Sequence, residues 1–89
     1  MPSYLVETFL QRGSAGERTT RERRARSAAE ELTRSSVRFK LSIYVPEDEI
    51  CFFVFDAPSG REAALAAQRA GLEPIRVVEA VSSPGEEEK

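Results

Sequence analysis

Apolar and polar positions divide the chain into short segments with two different periods. Ile50-Cys51-Phe52-Phe53-Val54-Phe55 is apolar at every position and runs straight into Asp56-Ala57-Pro58-Ser59. A strand with one wet face alternates, whereas a strand that is apolar throughout needs cover on both faces. A chain of 89 residues can cover one face with its own helices. The other face then calls for a partner chain, a ligand or a bound strand. Residues 37–45 behave differently. Val37, Phe39, Leu41, Ile43 and Val45 point one way, and Arg38, Lys40, Ser42 and Tyr44 the other, which predicts a half-wet strand at or near a sheet edge. Pro46-Glu47-Asp48-Glu49 between the two segments is a polar turn, so they form an antiparallel hairpin. Ser3 to Leu10 reads as a first strand and Ile75 to Val81, after Pro74, as a last one.

Two segments carry the helical period. Residues 17–34 form a charged helix in which Ala25, Ala28, Ala29 and Leu32 fall at i, i+3, i+4 and i+7, a narrow stripe that can lie on a sheet. Its start is open between two capping boxes, Ser14-x-x-Glu17 and Thr19-x-x-Glu22. Ser59-x-x-Glu62 caps a second helix through Ala63, Ala64, Leu65, Ala66, Ala67 and Ala70, and Gly71 is placed to stop it. The order β-α-β-β-α-β predicts a ferredoxin-like α+β domain over residues 1–81, an antiparallel four-stranded sheet with both helices on one face. Residues 82–89 read as a disordered acidic tail. The first and third strands are central in this arrangement, so the apolar segment keeps one face without helices. Two such faces packed together give a homodimer, with an enclosed space between the sheets; a monomer with an open binding face is the alternative.

Composition narrows the chemistry. The net charge is −2, no apolar run reaches a membrane span, and the N-terminus has no basic-then-apolar leader. A cytoplasmic protein that binds neither nucleic acid nor membrane is the expectation. Cys51 is the only cysteine and sits inside the apolar run, where it reads as a small buried hydrophobe. There is no histidine, so the commonest general base and the commonest transition-metal ligand are both missing. No serine or cysteine has an evident base partner, and no catalytic residue is assigned. The arginines between Arg18 and Arg26 are interleaved with Glu17 and Glu22, which reads as a solvated helix face rather than a phosphate-tracking surface.

The uncovered face is the predicted site. Arg38, Lys40 and Tyr44 of the second strand and Glu7 of the first are expected on it. Glu79 joins them because Glu7 and Glu79 each interrupt an otherwise apolar strand. The predicted ligand-binding set is Glu7, Lys40, Tyr44 and Glu79, with the two carboxylates serving as acid or base, or holding a cation; ion pairs with Arg38, Lys40 or Arg76 are the competing reading. The same topology serves the RNA-recognition motif, whose open-face aromatics stack bases. Here Glu49 and Ile50 stand where that motif wants basic and glycine-like residues.

Met1-Pro2-x-Tyr4-Leu5-Val6-Glu7, Tyr44-Val45-Pro46-Glu47-Asp48-Glu49, Cys51-Phe52-Phe53-Val54-Phe55-x-Ala57-Pro58-Ser59 and Arg69-Ala70-Gly71-Leu72 are joined by Arg76-Val77-Val78-Glu79-Ala80-Val81. Together these segments resemble a family of small actinobacterial ferredoxin-like proteins, mostly of unknown function, that includes a nickel-binding protein. The resemblance spans residues 1–81. It implies a ferredoxin-like dimer and a nickel(II) site, with Glu7 and Glu79 as the matching metal positions. The expectation is a non-enzymatic small dimer that binds a metal ion or small molecule between its sheets. A small cyclase- or isomerase-like enzyme with an inter-sheet cavity is the alternative, and an RNA-binding sheet face the second.

Overall fold

The computed structural model describes residues 1–32 and 36–83. Its elements follow the order β1 (Ser3–Phe9), α1 (Ala15–Glu31), β2 (Arg38–Val45), β3 (Ile50–Asp56), α2 (Gly60–Arg69) and β4 (Arg76–Ala80). All neighbouring strands are antiparallel, in the order β2-β3-β1-β4. This is the ferredoxin-like α+β arrangement, with β3 and β1 in the centre and β2 and β4 at the edges. The apolar segment, β3, is therefore paired on both edges, as the predicted topology requires. Arg34, the predicted last residue of the first helix, and residues 84–89 of the predicted tail lie outside the described residues.

The core lies between the sheet and the helices. Tyr4, Val6 and Thr8 of β1 and Cys51, Phe53 and Phe55 of β3 are buried there, closed by Ala25, Ala28 and Ala29 of α1 and Ala63, Ala66 and Ala67 of α2. The alanine stripe is why the helices settle close to the sheet: a methyl group leaves room for the three phenylalanine rings beneath. Phe39 tilts against Phe53 and Phe55, with ring centroids 6.2 and 5.5 Å away. Leu32, the fourth stripe position, is partly buried against the same core.

The helix ends differ in how they are capped. Ser59 accepts a hydrogen bond from the Glu62 amide at 3.3 Å, the predicted cap of α2. Ser14 occupies the N-cap of α1 without a side-chain hydrogen bond, so of the two predicted starts the chain uses the first by position only. Gly71 follows α2 with φ +72°, the left-handed conformation that a C-terminal stop needs.

Candidate interaction face and its polar rim

The sheet face turned away from the helices carries alternate residues of all four strands. Register places Leu5 beside Val54 and Val78, Glu7 beside Phe52 and Arg76, and Phe9 beside Ile50. From β2, Leu41 stands opposite Val54, Ile43 opposite Phe52, and Val45 opposite Ile50. The result is a largely apolar surface, interrupted on β1 and β4 by Glu7 and Arg76. Phe9, Leu41 and Ile43 are 55%, 46% and 47% exposed on it.

Leu41 and Ile43 reach this face through a β-bulge. The β2–β3 register shifts between Phe39 and Leu41, leaving Lys40 as the extra residue. One extra residue reverses side-chain parity along the rest of a strand. Phe39 therefore enters the core, while Leu41, Ile43 and Val45 emerge on the far side, and Ser42 and Tyr44 turn under α1. This corrects the expectation that Tyr44 lies on the uncovered face: its hydroxyl donates to the Leu10 carbonyl at 3.1 Å, and Arg18 lies 5.8 Å from its ring centroid.

The other predicted positions separate. Glu7 does lie on the open face, where it accepts from Arg76 Nε at 2.7 Å. Lys40 stands at one end of it, with Nζ 3.9 Å from Asp56, whose carboxylate also accepts from Ser3 at 2.7 Å. Arg38 is the cross-strand neighbour of Asp56 on the same face. Glu79 is opposite Tyr4 in the β1–β4 register and so belongs to the helix side, exposed on the edge strand. The expected meeting of Glu7 and Glu79 does not occur: the two carboxylates project from opposite faces of one sheet. Among the described residues no group of three or more His, Cys, Asp or Glu side chains converges on a point where a metal ion could sit.

Beneath the N-terminal half of α1 the sheet is polar instead of apolar. Arg18 donates to Ser42 Oγ at 3.1 Å, and the Ser42 hydroxyl makes a short hydrogen bond to Glu22. Arg21 donates to the Phe9 carbonyl at 2.9 Å and is held from the other side by Glu17. The buried Thr8 hydroxyl donates to the Cys51 carbonyl at 2.8 Å. Cys51 itself is fully buried, as its place in the apolar run predicts. Burial pushes its thiol above the ordinary range; Arg18 and then Arg21 pull it back in part, and Glu22 adds an upward push. Fully buried among the core side chains, Cys51 packs there as a small hydrophobe.

Chemically, the open face offers apolar area with two charge pairs, Glu7 with Arg76 and Asp56 with Lys40, and Arg38 at its end. It does not offer a row of bare aromatics. Phe53 and Phe55 point into the core, leaving Phe52 and Phe9 as its rings. That arrangement disfavours base stacking along the first and third strands and suits a surface of similar, neutral character.

No protein-family model matches the chain, and no curated protein matches it in sequence. Among solved structures, the fold is similar to the crystal structure of SCO4226 from Streptomyces coelicolor A3(2), with a TM-score of 0.70 at 17% identity, over 92% of this chain and 99% of that one. At that identity the likeness concerns the fold.

Proposed function

We propose that this protein is a small non-enzymatic homodimer, assembled by packing the open sheet faces of two copies against each other. The observation that carries the reading is the apolar surface formed by Leu5, Phe9, Leu41, Ile43, Phe52 and Val78, which among the described residues no helix covers. Four strands about 4.8 Å apart and roughly 24 Å long present a projected face of about 450 Å². That is smaller than the ~800 Å² per partner of a standard interface, so side-chain relief and the strand ends would have to add to it. A second copy suits this face because Glu7 with Arg76 and Asp56 with Lys40 are paired within the chain, leaving Arg38 at its end. A twofold axis brings apolar centre to apolar centre and asks for no oppositely charged partner.

Light scattering coupled to size exclusion tests the reading. The wild-type chain is expected at twice its monomer mass. Ile43→Glu, at an exposed position of an edge strand, is expected to give a folded monomer with unchanged circular dichroism. A wild-type monomer, or an Ile43→Glu dimer, overturns it.

A divalent cation such as nickel(II) is the second reading, favoured by the position of Glu7 on the pairing face. A site there would draw one Glu7 from each copy and would have to compete with Arg76. Native mass spectrometry with added nickel tests it directly: a fixed number of ions per dimer, lost in Glu7→Gln, supports a shared site, and uptake unchanged in Glu7→Gln rejects it. Glu79→Gln is expected to leave uptake unaltered, because that residue lies on the other side of the sheet.

A further inference from the structure

At the end of the sheet, where the C-terminal half of α1 passes the start of β2, lies an open cleft of about 650 Å³. Its floor is apolar: Ala29 of α1, Val37 and the edge of Phe39. Its walls carry Arg26 and Arg38, with Glu30 as the single carboxylate. The volume falls within the range of small-molecule sites, which combine an apolar lining with a few convergent polar groups.

The two arginines are unlike most of the others. Arg18, Arg21, Arg24, Arg69 and Arg76 each lie within salt-bridge distance of a glutamate. Among the described residues Arg26 and Arg38 form no ion pair and no side-chain hydrogen bond. Arg26 is nevertheless positioned, with its guanidinium carbon 5.5 Å from the centroid of the Phe39 ring. That ring is fixed in turn by Phe53 and Phe55. A guanidinium stacked on an anchored ring keeps its edge donors free, and that edge matches a carboxylate. In a chain of net charge −2, an excess of cation over this one apolar floor runs against the overall balance.

We propose that this cleft binds a small organic carboxylate with a short apolar body. The body lies against Ala29, Val37 and Phe39, and the carboxylate takes hydrogen bonds from Arg26 and Arg38. Arg38 also stands at the end of the open sheet face, so the cleft adjoins that face; its floor of Ala29, Val37 and Phe39 lies on the helix side, and shifts there report the cleft and not the assembly.

The test is an NMR titration of the ¹⁵N-labelled full chain with 1-naphthoate, alongside the uncharged 1-naphthamide. Expected are saturable shifts of the Ala29, Val37 and Phe39 amides with naphthoate, and affinity about fivefold weaker in Arg26→Gln or Arg38→Gln. The amide analogue is expected to bind much more weakly. Both arginines are exposed, so the variants should keep the wild-type spectrum elsewhere. Equal binding of naphthamide, undiminished binding in the double variant, or shifts confined to Leu41, Ile43 and Phe52 would each overturn the proposal. So would the absence of any saturable shift.

Discussion

The two faces of β3 are built from nearly the same residues and do different work. Cys51, Phe53 and Phe55 lie under two helices and are fully buried, while Ile50 and Phe52 on the opposite face remain partly exposed. The side chains do not create this difference; it follows from which face the two right-handed crossovers place the helices on. On the proposed assembly, hydrophobicity within one strand serves two purposes, stability of the chain on one side and association on the other. The largest effect should separate them. Phe53→Ala leaves a ring-sized hole under the helices and is expected to cost about 3–5 kcal/mol by urea denaturation. Phe52→Ala, measured as the monomer in the Ile43→Glu background, is expected to cost less than about 1.5 kcal/mol, because its ring has fewer packed neighbours to lose. Equal costs would mean that the open face is as much a core as the covered one.

The buried face also contains a titratable group, which sharpens the comparison with pH. The folded chain holds the Cys51 proton more firmly than the unfolded chain, because burial penalises the thiolate. This contribution is whole below the unfolded thiol value of about 8.5 and is lost as pH rises through the alkaline range toward the folded value. The slope attributable to this group is at most about 1.4 kcal/mol per pH unit. Urea melts at rising pH should show the wild-type chain losing stability faster than Cys51→Ala; parallel curves would mean that Cys51 is wetter than its position indicates. Next to it, Thr8→Val removes the donor to the Cys51 carbonyl at similar shape, with an expected loss of about 1 kcal/mol. An unchanged midpoint would show that this hydrogen bond contributes nothing net.

Much of the fold could be read from particular residues. The element order made the unbroken apolar run a central strand, the alanine spacing gave a narrow helical stripe that can lie on a sheet, and Ser59-x-x-Glu62 and Gly71 bracketed α2. The site was harder because a face is a matter of parity, and parity depends on register. Val37 to Val45 alternates without a break, and nothing in that alternation marks Lys40 as the bulge that turns Tyr44 inward. The Glu7 and Glu79 pairing failed for a related reason. Both interrupt apolar strands, but their relative face is set by how β4 aligns on β1, with Glu79 opposite Tyr4. Either alignment leaves β4 with one valine inward and one outward, so the strand alone does not choose.

One signal for the bulge did exist, in the helix and not in the strand. The apolar stripe of α1 begins only at Ala25; its first half offers Arg18, Arg21 and Glu22 to the sheet. Leu41 and Ile43 under those side chains would strand charges over an apolar floor, whereas Ser42 and Tyr44 give them partners. The bulge lets β2 satisfy both halves of α1, placing Phe39 near the alanines and Ser42 near the arginine. The smallest predicted effect tests that account. A double-mutant cycle of Arg18→Ala and Ser42→Ala should give a coupling of about 0.5 kcal/mol at low salt, since Arg18 is about a third exposed. Molar salt should leave most of it in place, because the Arg18–Ser42 contact is a hydrogen bond, while the longer Arg18–Glu22 pair at 3.6 Å is screened. A coupling of zero would leave Ser42 and Tyr44 beneath α1 as passengers of the bulge, and the reason for the bulge would then lie in the demand of Leu41 and Ile43 for the open face.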